Sequence, residues 1–246
     1  MAGKSRNEVS ILLVQPRSDL PMVEHEIKCI SLYSGLSVDQ LHSVSPFYTE
    51  INKSLLENVD GVIIGGSDTS VLDSFPWTNS IIELIHKIAE AKMPLFGSCW
   101  GHQMVAKTFG GEVVSDLSRK EMGSIEVVLT PQGRDDLLFS KLPGKFVAQS
   151  GHKDHVMELP QNIDPLAYSE LSPYQAIKVK DCPIYGAQFH ADMDKTELKE
   201  RLEYYQYDYV NTEEFDNVCN SLQSSPEAVR ILSAFINDVV LSAATK

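Results

Sequence analysis

Apolar residues in the first hundred positions alternate between two textures. Short dense runs, Val9-Ser10-Ile11-Leu12-Leu13-Val14, Gly61-Val62-Ile63-Ile64 and Pro94-Leu95-Phe96, predict central strands covered on both faces. Longer stretches of helical period lie between them. Met22 to Ser34 reads as a helix stopped by Gly35, which accepts the left-handed backbone of a C-terminal cap. Ile51 to Glu57 is a shorter helix-like segment. Thr78 to Ala91 places Ile81, Ile82, Leu84, Ile85 and Ile88 inward, and Pro94 follows soon after. From Glu112 to Leu129 the pattern turns strand-rich, and Phe146 to Gln149 and Ile177 to Val179 continue it. Lys195 to Tyr205 is charged and helix-like. Pro226 to Val240 predicts a terminal amphipathic helix with Val229, Ile231, Leu232, Phe235 and Ile236 as its apolar face. Alternation of this kind predicts an α/β fold: a mostly parallel central sheet with helices on both faces, plus a small antiparallel extension. No repeat, low-complexity tract or linker breaks the chain, so residues 1–246 are expected to form one domain.

Composition narrows the function. Hydrophobic content of 43% with 22% charged residues is that of a folded globular chain. A net charge of −13 argues against a general nucleic-acid or anionic-membrane surface, since both require basic patches. The apolar run Val9–Val14 is too brief for a signal peptide or a membrane span. Cys29, Cys99, Cys182 and Cys219 show no C-x-x-C pair and no metal-ligand spacing, which fits a reducing cytoplasm and no metal site. No Gly-x-x-x-x-Gly-Lys loop is present, so no cofactor and no ATP use are expected.

One cysteine stands apart. Phe96-Gly97-Ser98-Cys99-Trp100-Gly101-His102-Gln103 joins an apolar strand to a helix-like segment, with glycine two before and two after Cys99. This is the pattern of a nucleophile elbow, which lifts its central side chain above the sheet edge at the positive end of the next helix. An arbitrary cysteine is more often a small buried hydrophobe; the flanking glycines reverse that reading. A thiol nucleophile needs a base and a group to orient it. Of seven histidines, His190 ends the apolar segment Pro183–Phe189, and Asp192 lies two residues on, the same side of an extended backbone. Asp194 is a competitor one pleat further away.

Together these segments resemble the class I, triad-type glutamine amidotransferases, most closely their GMP-synthase-like glutaminase domains, here in free-standing form. Gly61–Ser67 resembles the family's strand and oxyanion loop, and Gly97–Gln103 its elbow. Gly151-His152-Lys153-Asp154-His155-Val156 resembles its Ser-His-Gly-Asp-x-Val segment, and Gly186–Asp192 its Gly-x-Gln-Phe-His-Pro-Glu ending. Ala191 replaces the usual proline, Asp192 the usual glutamate, and Gly151 the usual serine. The resemblance implies a flavodoxin-like amidotransferase fold and a Cys99-His190-Asp192 triad. It also implies oxyanion donors at Gly66 and Trp100, and substrate contacts at Gly65, Gln103, Gly151, His152 and Asp154. It further implies hydrolysis of the glutamine side-chain amide through a Cys99 thioester, with ammonia passed to a separate synthase or acceptor partner. Two rivals accompany it: a γ-glutamyl peptidase using the same triad, separated by the leaving-group side of the pocket, and a non-catalytic regulatory protein on this fold. His102 and Trp100 are equally well pocket walls, and His155 has no evident role. The Tyr204–Tyr209 cluster either covers the site or docks the tail.

Overall fold

The protein is seen here as a computed structural model that describes residues 4–205 and 212–243. Four short strands, β1 (Ile11–Val14), β2 (Leu41–Val44), β3 (Gly61–Ile64) and β4 (Leu95–Ser98), pair in parallel with β11 (Ile184–Ala187) in the order β2-β1-β3-β4-β11. The sheet then continues antiparallel through β10 (Ala176–Val179), β9 (Ile163–Tyr168), β6 (Glu121–Leu129) and β7 (Lys145–His152). A separate antiparallel ribbon joins β5 (Glu112–Ser115) to β8 (Asp154–Glu158). The antiparallel extension expected from the sequence therefore amounts to four strands and a ribbon.

Period-two alternation splits the core. Ile11, Leu13, Ile63 and Phe96 point to one face, which is covered by α1 (Leu20–Ser34) and the C-terminal helix. Leu12, Val14, Val62, Ile64 and Leu95 point to the other, under α2 (Thr78–Glu90) and α3 (Trp100–Thr108). Both faces are buried, which explains why β1 and β3 read as continuous apolar runs. Gly35 caps α1 at φ 70°, as its position predicts. On α2, Ile81, Leu84, Ile85 and Ile88 are buried whereas Ile82 is only half-buried. Each fully buried side chain of this size contributes about 1.5–3 kcal/mol.

Two predicted helices differ. Ile51–Glu57 contains only a 3-10 turn, Lys53–Leu56, because the Asn52 side chain accepts the Ser54 N–H and starts a tight turn. The terminal helix begins at Arg230, not Pro226: α7 (Arg230–Ala234) runs into a π-helical stretch, Phe235–Val240, that buries Phe235, Ile236, Val239 and Val240. The remaining helices are α4 (Pro131–Asp135), α5 (Lys195–Tyr204), α6 (Thr212–Ser221) and α8 (Leu241–Ala243). No helix among the described residues is long and apolar enough to cross a membrane.

Candidate active site

The carboxyl ends of β3, β4 and β11 converge at Cys99. This residue alone separates β4 from α3 and adopts φ 49°, ψ −99°, a conformation that costs a non-glycine residue about 1–3 kcal/mol. Neighbouring backbone holds it there: the Cys99 N–H donates to the Ala187 carbonyl at 2.8 Å, and its own carbonyl accepts the Gln103 N–H at 3.2 Å. The flanking glycines are steric necessities. A Cβ on Gly97 would sit 2.5 Å from the Gly101 carbonyl carbon, and one on Gly101 would sit 2.2 Å from the Ile64 oxygen. Gly101→Ala is therefore expected to destabilise the fold by about 3 kcal/mol, since a sheet backbone rather than a flexible side chain must give way. Urea unfolding measures this, and a wild-type midpoint would contradict it.

Parallel pairing of β11 with β4 sets Ala187 opposite Ser98. The chain then runs through Gln188 and Phe189 to His190, whose N–H donates to the Gln149 carbonyl of β7 at 2.8 Å. His190 Nδ1 lies 3.1 Å from Asp192 Oδ1, and both side chains are buried. Asp192 is fixed in turn by the Ser98 hydroxyl, which donates to Oδ1 at 2.8 Å, and by Arg201, whose Nη2 lies 3.9 Å from Oδ2. Burial works against a charged His190, but the Asp192 carboxylate outweighs it and Cys99 adds to the effect, so the imidazole pKa is raised. Burial likewise opposes the Asp192 charge, and His190, Arg201 and Ser98 overcome it, holding the carboxyl well below its usual range. Asp194 is elsewhere engaged. It caps α5, accepting the Lys195 N–H at 2.8 Å and the Ser225 N–H at 2.6 Å.

The residues expected around this group divide. Gln103, Gly151, His152 and Asp154 line one cavity with Cys99 and Trp100. The Gln103 amide donates to the Asp154 carbonyl at 2.7 Å and to the Gln188 Oε1 at 3.0 Å, while the Asp154 carboxylate accepts the Ser70 hydroxyl. His152 turns its Nε2 to Glu121 at 2.9 Å. Trp100 contributes the first amide of α3, which has no acceptor within the helix.

Two glycines depart from expectation. The Gly66 N–H does not face Cys99 but donates to the buried Glu26 Oε1 at 2.9 Å. Gly65 is not a wall of the cavity: its N–H donates to Val14, its carbonyl accepts from Gly101, and a Cβ there would strike the Glu26 carboxylate at 2.6 Å. Gly65 makes room for Glu26, which is why the pair is glycine. His102 is fully buried against Gly186, and burial pushes its pKa down to about 3, so it is a neutral packing group. Of the tyrosine cluster, Tyr205 accepts from Arg17 Nη1 at 3.3 Å and borders the site; residues 206–209 lie outside the described residues.

Glu26, Arg17, Arg201 and Ser98 were not singled out by sequence. Glu26 lies in line with Met22 and Ile30 on the buried stripe of α1, and Arg201 between Leu198 and Leu202 on that of α5. A charge on an apolar stripe is the signal that could have found both.

The model of the family described as glutamine amidotransferase class-I matches residues 25–207. The chain belongs to the class I glutamine amidotransferases. It is 34% identical over 159 residues to the glutamine-hydrolyzing component of a two-part GMP synthase from Pyrococcus abyssi, covering 65% of this chain and 80% of that protein. It is 33% identical to the glutamine-hydrolyzing GMP synthase of Borreliella burgdorferi, where the match covers 65% of this chain but only 29% of the other. In fold, the amidotransferase resembles a glutamine amidotransferase from Thermotoga maritima with a TM-score of 0.73 at 20% identity, over 97% of this chain and 99% of that one.

Proposed function

We propose that this amidotransferase hydrolyses glutamine with Cys99, His190 and Asp192 as its triad and hands the ammonia to a separate synthase partner. The observation that carries the assignment is the 3.1 Å His190–Asp192 contact beside the strained Cys99 elbow. Glutamine enters the cavity bordered by Gln103, Gly151 and Asp154, with its α-ammonium toward the Asp154 carboxylate. Cys99 Sγ attacks Cδ of the side-chain amide. His190, charged and steadied by Asp192, gives its proton to the leaving nitrogen, so ammonia departs and a γ-glutamyl thioester remains. His190 then takes a proton from water, which opens the thioester to glutamate and restores the thiol. The Trp100 N–H stabilises the tetrahedral oxyanion. Gly66 joins it only in a conformation in which its N–H leaves Glu26.

The separate acceptor is supported by the archaeal relatives, which are glutamine-hydrolyzing components of GMP synthase, and the four free cysteines support a reducing compartment. The test is to capture partners from the native source and measure glutamate release with and without them. Glutamine turnover that rises on adding the captured partner is expected. Absence of both turnover and covalent labelling by a glutamine-like electrophile would favour a non-catalytic protein on this fold.

A further inference from the structure

Two compartments meet at Cys99. One is the glutamine cavity already described. The other lies on the His190 side, with Arg17, Arg201, Met122, Leu198 and Leu202 in its walls, and forms a cleft of about 440 Å³ that opens to solvent. Ammonia, close in size to water at ~30 Å³, does not require such a space. The leaving group of the proposed reaction departs on this side, because His190 delivers its proton there.

We propose that this compartment binds the carboxylate of a leaving amino acid, so that the enzyme cleaves γ-glutamyl amino acids as well as glutamine. The proposal rests on the Cys99–His190 reading above.

Among the described residues, charge pairing around the compartment leaves one cation over. His190 faces Asp192 at 3.1 Å, and Arg17 faces Glu26 at 3.5 Å. Arg201 remains. It is only 7% exposed, its Nη2 lies 3.9 Å from the already paired Asp192 and 3.4 Å from His25 Nδ1, and its Nε and Nη1 have no hydrogen-bond partner among the described residues. His25 does not offer a counter-charge, and its own carboxylate neighbour, Glu200, is largely exposed. Buried guanidinium donors without acceptors are costly, and their planar fork matches a carboxylate with two parallel bonds. Met122, Leu198 and Leu202 supply an apolar surround for an aliphatic side chain or backbone methylene.

The reaction balances as for glutamine. The Sγ–Cδ bond forms, the Cδ–N bond breaks, and the His190 proton goes to the departing nitrogen. An amino acid leaves with its carboxylate on Arg201. Water then releases glutamate and returns the thiol.

The test compares kcat/KM for γ-glutamylglycine and γ-glutamylglycinamide, which differ only in the charge of the leaving group, with glutamine as reference. The wild type is expected to favour the acid by about tenfold or more, the discrimination a charge-assisted hydrogen bond supports. Arg201→Gln should bring the acid-to-amide ratio to within about threefold of unity, and Arg201→Lys should restore part of it. The ratio is internal to each variant, so a general loss of rate does not imitate the effect. The wild-type comparison stands by itself if Arg201→Gln fails to fold. Equal rates on acid and amide, or an acid preference that survives in Arg201→Gln, would overturn the proposal while glutamine turnover persists. Failure on glutamine and both dipeptides would overturn the glutaminase reading with it.

Discussion

Cys99→Ala is expected to lower glutamine hydrolysis by about 10⁴-fold or more and to leave the fold in place, as removal of a triad nucleophile does elsewhere. The fold survives because alanine keeps the Cβ that already tolerates φ 49°, and the hydrogen bonds that hold the elbow use the backbone of residue 99. The side-chain interactions lost are the bond from the Gln188 amide to Sγ at 3.6 Å and the thiol's contact with His190. Gln188 keeps its bond with Gln103, and His190 keeps Asp192. What disappears is the group at the junction of the two compartments able to form a thioester. Labelling by a glutamine-like electrophile gives an independent readout. It should add one adduct to the wild type and none to the variant, since burial pushes the thiols of Cys29 and Cys219 up and away from the reactive anion. Substantial residual turnover in Cys99→Ala would place the nucleophile elsewhere.

The elbow was legible in the sequence because its demands are local. Two glycines at fixed offsets between an apolar strand and a helix describe one backbone geometry, and Gly97 and Gly101 meet their neighbours as that geometry requires. The central strands were legible for a similar reason: a run apolar on both faces has few alternatives to a covered parallel sheet. What escaped is non-local. That the Gly66 N–H belongs to Glu26 depends on α1 crossing beside β3, 40 residues away in sequence. That Arg201 stands behind Asp192 depends on where α5 docks. The residue pattern carries such partners only as charges on apolar stripes, without naming what they meet. Ile51–Glu57 failed on a smaller scale, where one asparagine cap outweighed a weak helical period.

Asp192 carries the second large effect. Asp192→Asn is expected to reduce turnover by about 10⁴-fold, the loss seen when a triad's orienting carboxylate becomes an amide. The amide can present a donor to His190 Nδ1, which opposes the tautomer needed for Nε2 to exchange protons with substrate and water. The same change also moves the pH profile. Asp192 raises the His190 pKa, and the protonated imidazole is the form that gives a proton to the leaving nitrogen. Activity in the wild type should therefore hold into alkaline pH and fall as His190 loses its proton. With the carboxylate gone, the imidazole pKa drops, and the alkaline limb of the residual activity shifts to lower pH. Stability follows the same sign. The raised pKa makes the His190–Asp192 pair stabilising below the ordinary imidazole pKa, and that contribution is lost as pH rises through the elevated value. Asp194→Asn serves as the contrast. Its carboxylate caps α5 and binds Ser224 and Ser225, a role asparagine largely retains, so turnover and pH profile should stay near wild type. An unmoved alkaline limb in Asp192→Asn, or inactivation by Asp194→Asn instead, would remove Asp192 from the triad.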